Sequence, residues 1–380
     1  MSAAYWRRAM NTGLATSSAA ARPLPPPRAG APVVVPAPDP YADSDAPRWL
    51  KFLWAHLSAR HVLVLAFVLL YPFVASPFLT FQIAGQALAL GLIALSLTFL
   101  GGYGGMISLA QMTVAGIAGY LVSILGASAT TTSLNWPWWV VIPFALAISV
   151  LCATLIGWLS VRTEGIYTIM ITLAIGVAFY YLALQNYSVF NGFQGFQKVY
   201  PPVVFDVNWR DPVPFYFLCL CFSLAGYLLV KWVVRAPFGI AMQGVRDNPR
   251  RMAALGYNVV AHRVAAYALS GLVAAVGGIL FTWYNGLITP NSVGTGWLIN
   301  ILVIAVLGGM RHPVGAFLGA IVFVLLQTFA IDVLGPGGRE RFNLVIGVVF
   351  LAIVLFSPDG LLGLWAKLRS RFAPTATRRP

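Results

Sequence analysis

"AMQGVRDNPRRMAALGYN", Ala241 to Asn258, is the stretch on which the fold turns. It carries Arg246, Asp247, Arg250 and Arg251, yet apolar runs near 213–232 and 264–286 flank it on both sides. Each run supplies the roughly 20 apolar residues that a helix needs to cross a bilayer core of about 30 Å. A polar segment between two such runs is a loop between membrane spans, and its own residues predict that it is ordered. Asn248 is a favoured N-cap and Pro249 suits the first helical position. Gly256 fits the left-handed residue that ends a helix, so "PRRMAAL" reads as about two capped turns. A helix this short is marginal alone and needs a surface to pack against. Arg250 and Arg251 stand in its first turn, where the helix dipole disfavours cations, and Asp247 offsets only part of that. A local rule broken without local gain points to an acidic partner surface or to lipid headgroups.

The rest of the chain agrees with a membrane setting. Of its 380 residues 59% are hydrophobic and 9% charged, with a mean hydropathy of +0.81, whereas a soluble domain carries about 25% charged residues. Ten spans are predicted, near 61–79, 82–100, 107–127, 137–159, 165–185, 213–232, 264–286, 297–310, 313–333 and 342–357. The fold class is therefore an all-α polytopic transmembrane helix bundle. Positive loops stay cytoplasmic. With both termini inside, 20 of the 24 lysines and arginines lie on the cytoplasmic side, and inversion would reverse that ratio. The net charge of +14 is thus topological and gives no support to nucleic-acid binding. Residues 1–60 form a Pro/Ala-rich cytoplasmic tail, disordered on composition, and 364–380 a short basic one.

The charge census argues against chemistry inside the membrane. None of the ten acidic residues and none of the four histidines falls mid-span in this topology. An ion-coupled carrier usually needs such a group near the midplane, and a membrane enzyme needs a base beside its nucleophile. Ser108 and Ser270 have no acid or histidine in local register, and the three cysteines form no metal pattern. The spans hold small and neutral polar residues instead. Gly315 and Gly319 stand four apart beside Ala316 and Ala320, which lets helix backbones approach closely. "FLGGYGGMISLAQMTVAGIAGY", Phe99 to Tyr120, is too glycine-rich for an unbroken helix. It is either a break at membrane depth lining a cavity or a tight hairpin between spans. The loop 186–212 is long, polar and aromatic, suited to a cap or to receiving an external protein.

The same residues resemble a known family. "FGIAMQGVRDNPRRMAALGYNVVAHRVAAYALSGLVAAVGGIL", Phe238 to Leu280, is similar to the cytoplasmic region of LivH/LivM-type permeases of ATP-binding-cassette importers, LivM in particular. "VRTEGIYTIMITLA" (Val161 to Ala174), "VLGGMRHPVGAFLGA" (Val306 to Ala320), "FSPDGLLG" (Phe356 to Gly363) and the glycine-rich run from Leu100 resemble further blocks of that family, in order. Ala110 and Ile240 depart from its pattern, and residues 1–60 have no counterpart in it.

The resemblance implies an ABC permease transmembrane domain over 61–363, with a coupling loop at 234–263. It implies a role facing a cytoplasmic ATPase for Arg246, Asp247, Asn248, Pro249, Arg250, Arg251, Ala253, Ala254 and Gly256. The other expected partners are a second LivH-like permease subunit and a periplasmic solute-binding protein, with lipid around them in the bacterial inner membrane. No cofactor is expected on this chain, which has no Walker A pattern; ATP and magnesium belong to the partner. The expected cargo is a branched-chain or other amino acid, with urea or a short amide as the alternative. Tyr103, Ser108, Gln111, Tyr167, Thr172, Asn285 and Asn300 are the candidate translocation-path residues.

Overall fold

Long apolar runs fold as helices because every backbone polar group must find its partner within the segment. The computed structural model describes residues 68–334, except 127, 129–132, 164, 204, 205 and 207, together with 344, 347, 348, 350, 351 and 360–363. All lie in the unit Val64–Pro380. The helices are α1 (Leu79–Tyr103), α2 (Gln111–Leu125), α3 (Trp138–Ser160), α4 (Ile166–Gln185) and α5 (Pro212–Arg235), followed by α6 (Pro237–Asp247) and α7 (Pro249–Ala254). Then come α8 (Val259–Asn285), α9 (Thr295–Gly308) and α10 (Pro313–Leu334).

Two helices make the centre. In α1, 89% of the apolar stretch is buried and in α8 67%, against 28%, 22% and 28% in α3, α4 and α5. The helix α1 is apolar all round, which suits burial on every side. Its first and last turns, Leu79–Gly85 and Phe99–Tyr103, are wound as π-helix. Small residues on α8 bring its neighbours close. A Cβ at Gly271 would overlap Ala153 of α3, and one at Gly278 the Ala115 backbone of α2. Burial of Leu90, Ile93 and Leu97 from α1 with Tyr267, Leu280 and Phe281 from α8 fills the core.

Five helices are long and apolar enough to cross a bilayer, and α9 with α10 counts as a sixth span if the bent pair is taken as one. Ten full spans is therefore more than the described residues contain. The candidate 61–79 is described only from residue 68, with helix over 68–74, and 342–357 and both tails fall mostly or wholly outside the described residues. The predicted span 107–127 is corrected to the 15-residue α2, about 22 Å long. Its shortfall lies in 105–110, which is non-helical, with Met106, Ser108, Leu109 and Ala110 buried. Hydropathy could not separate these, since buried irregular backbone is as apolar as helix.

The G-x-x-x-G step behaves as its spacing predicts. The helices α9 and α10 bend by 117° at Gly309–His312, and Gly308, Gly315 and Gly319 meet backbone to backbone. A methyl at Gly308 would overlap the Gly315 carbonyl, and one at Gly319 the Ile304 carbonyl.

The bundle has two distinct ends. At the basic end, which carries 237–258, Gly102 abuts the Met310 carbonyl. At the far end the loop 186–212 folds into a cap. Phe196–Gln197 (β1) pairs antiparallel with Leu287–Ile288 (β2), with Phe196 opposite Ile288. The Val199 N–H donates to the Gly286 carbonyl at 3.0 Å. Phe196 is fully buried, and Phe190 meets Tyr120 edge-on with ring centroids 5.1 Å apart.

Candidate functional site

The loop between α5 and α8 is a doubly capped helical elbow. Its first arm, α6, begins with Pro237 at the first helical turn, after an extended Ala236. Ala241, Met242 and Val245 recur at i, i+1 and i+4 and are buried, while Ile240 faces outward. Asn248 ends α6 and starts α7. Its side-chain oxygen accepts the Arg251 N–H at 2.9 Å, which satisfies one of the orphan donors of the new helix.

The other terminus of α7 closes with equal care. Gly256 has φ +90°, its N–H donates to Ala253 and the Tyr257 N–H donates to Met252. These are the two hydrogen bonds of a Schellman motif, which leaves few carbonyls of the short helix unpaired. Asn258 then caps α8 through Ala261 at 3.0 Å, and His262 stacks on Phe238 with the rings 9° from parallel. Met252 is the anchor of α7, with its sulfur packed on Gly244 of α6. What remains outward is Arg250, Arg251, Ala253, Ala254, Leu255 and Gly256, with Leu255 67% and Tyr257 44% exposed.

Arg246 and Asp247 are exposed too, with side chains 36% and 66% accessible, but these side chains have partners within the protein. The Arg246 guanidinium donates through Nη1 to the Gly102 carbonyl at 2.6 Å and through Nε to Asp247 at 2.8 Å. Gly105, with φ +68°, lies flush beneath the arginine, and a Cβ there would stand 2.5 Å from Arg246 Cγ. The glycine break of 101–105 therefore sits at the basic end, against the elbow. The carboxylate of Asp247 is engaged by Arg246, so it gives less relief to Arg250 and Arg251 than its position suggests.

Three of the seven path residues come together around 105–110. Thr172 Oγ accepts the Leu109 N–H at 3.1 Å, Gln111 Oε1 accepts the Ser96 hydroxyl at 3.1 Å, and Ser108 Oγ accepts the Ala110 N–H at 3.3 Å. All three residues are buried. Thr172 and Ser108 fasten the irregular backbone of 105–110, and Gln111 ties α2 to α1. The others stand apart: Tyr103 and Asn300 are half-buried, Tyr167 is 69% exposed, and Asn285 lies at the far end bonded to Phe281. Sequence reasoning missed a second polar cluster. Tyr284 donates to Gln86 at 3.2 Å, and Gln86 donates to Gln327 at 3.4 Å, which joins α8, α1 and α10. It also missed α6, whose signal was Pro237 followed by apolar residues at helical spacing.

Residues 79–354 match the family described as branched-chain amino acid transport system, permease component. The chain belongs to that family. The match starts at the first residue of α1 and takes in the whole elbow. Among its relatives, this permease is similar to the high-affinity branched-chain amino acid transport system permease protein LivM of Escherichia coli. The two are 22% identical over 324 residues, 79% of this chain and 74% of the relative. It is 23% identical to LivM of Salmonella typhimurium over 247 residues, 59% of this chain and a little over half, 57%, of that protein. A shorter match, 31% over 148 residues, covers 37% of this chain and 41% of the autoinducer 2 import system permease protein LsrC of Salmonella choleraesuis. No solved structure matches this permease.

Proposed function

We propose that this permease is the membrane subunit of an ATP-driven importer for branched-chain amino acids, and that the elbow is where a cytoplasmic ATPase engages it. The observation that carries the reading is α7. A six-residue helix is unstable alone. This one is held by Asn248, by two C-terminal hydrogen bonds and by Met252, while its basic and apolar side stays uncovered. An ordered, anchored element is what rigid-body transmission from a partner requires. Arg250, Arg251, Ala253, Ala254, Leu255 and Gly256 form the docking face, with Asn248 and Pro249 as its scaffold.

The remaining assignments follow from the same reading. The basic end faces the cytoplasm of a bacterial inner membrane, and ATP and magnesium stay on the ATPase. A second LivH-like permease subunit completes the pathway, and a periplasmic solute-binding protein meets the far end, where the cap of 186–212 lies. Chemistry on the solute is not part of the role. The test is uptake of labelled leucine by the complete complex, with ATP depleted and ion gradients intact. The reading expects uptake to stop; uptake that persists would overturn it. Competition with unlabelled isoleucine, urea and autoinducer 2 in the same assay identifies the cargo.

A further inference from the structure

We infer that Arg246 is a positioning residue that seats the elbow on the π-wound end of α1, so that movement of α7 enters the bundle core through this contact. The inference rests on the coupling reading of α7 and reassigns Arg246 from the partner-facing surface to the inward one.

Four observations converge on it. The Nη1–Gly102 hydrogen bond of 2.6 Å joins residues 144 positions apart. It is charge-assisted, and such bonds are about twice as strong as neutral ones. The carbonyl it uses lies in Phe99–Tyr103, the last turn of α1, where the final four helical carbonyls have no partner within the helix. Gly105 is shaped to the arginine stem, since any side chain there would strike Arg246 Cγ. The same π turn faces the α9–α10 hairpin, with Met310 sulfur 3.1 Å from a Cβ at Gly101. One guanidinium therefore holds α6 against a turn that itself touches the hairpin. Asp247 keeps the guanidinium oriented, with Nε held and Nη1 free to reach Gly102. The docking face of α7 and the seat of α6 are thus separate surfaces of one elbow, and substitutions at each should fail differently.

The experiment compares Arg246→Ala, Arg246→Lys and Gly105→Ala in the complete complex, co-expressed with its ATPase, second permease subunit and binding protein. Three quantities are read in proteoliposomes: ATPase retained on the tagged permease, ATP hydrolysed, and leucine taken up. Arg246→Ala should keep ATPase retention and hydrolysis near wild type while leucine moved per ATP falls about tenfold, the scale expected for one charge-assisted hydrogen bond. Arg246→Lys keeps a donor for the carbonyl and should recover much of the ratio. Gly105→Ala leaves the arginine in place but blocks its seat, and should lower the ratio. Hydrogen exchange across 99–105 should quicken in Arg246→Ala. An unchanged ratio in both Arg246→Ala and Gly105→Ala overturns the inference. So does loss of ATPase retention in Arg246→Ala, which would make the residue a docking contact. If Arg246→Ala does not reach the membrane, an unchanged ratio in both Arg246→Lys and Gly105→Ala overturns it. Failure of the coupling reading shows itself elsewhere, as ATPase retention indifferent to charge reversal at Arg250 and Arg251.

Discussion

Asn248 Oδ1 accepts the Arg251 N–H at 2.9 Å, and this bond fixes where α6 stops and α7 begins. One asparagine sets the angle of the elbow, because Pro249 next to it cannot continue α6 through its own missing N–H.

Asn248→Ala removes that cap. A lost N-cap costs about 1 kcal/mol, a large share of what holds six residues helical. Amide exchange over 249–255 should quicken, while exchange in α8 stays at its wild-type rate. Mass-spectrometric exchange on the purified permease reads both, and protection unchanged over 249–255 would remove the cap from the account.

Charge reversal at Arg250 and Arg251 to Glu addresses the docking face. Neither side chain has a hydrogen bond or ion pair among the described residues, so insertion and thermal unfolding should match wild type. Recovery of the ATPase on the tagged permease should fall several-fold, as expected for truncated or reversed interface charges.

Gly308→Leu tests the hairpin. The new side chain would meet the Gly315 carbonyl at once, and overpacking of a tight contact costs about 1–3 kcal/mol. A lower midpoint of thermal unfolding in detergent is the expected result. Gly296→Ala in the same helix meets open space and should leave the midpoint within experimental error.

Gln86→Leu strands two partners, Tyr284 and Gln327, and leaving a buried polar group unpaired costs about 1–3 kcal/mol. Replacing all three together, Gln86→Leu with Tyr284→Phe and Gln327→Leu, should restore most of the loss. A triple variant less stable than Gln86→Leu alone would mean the cluster contributes beyond mutual satisfaction.

These residues differ in how far the sequence announces them. The caps of α7 are legible because Asn248, Pro249 and Gly256 each demand a particular backbone state within nine positions. Likewise, Gly315 and Gly319 predict close packing through spacing alone. The glycine break left two readings open, and its contacts with Arg246 and Met310, far along the chain, place it at the basic end. The shortness of α2 was hidden because Met106, Leu109 and Ala110 are buried in irregular backbone and read as apolar helix. The Gln86 cluster gives no local sign at all: each of its three helices supplies one polar residue, and the partners are 198 and 241 positions away. Of the path residues, Ser108, Thr172 and Asn285 bond backbone groups and Gln111 bonds the Ser96 hydroxyl, pairings that no local pattern in the sequence announces.

The pairing of Phe196 with Ile288 has a mechanical meaning for α8. That helix is held to the elbow at its start by the His262–Phe238 ring stack and just past its end by the Val199–Gly286 bond, and it contains no proline. Its 27 residues make a strut of about 40 Å. A strut pinned at both faces cannot absorb a push by shortening, so a displacement delivered at the elbow must emerge as tilt, and tilt of α8 drags β2 and the cap with it. The two faces of the bundle are therefore not independent surfaces: a load on one is a lever arm on the other.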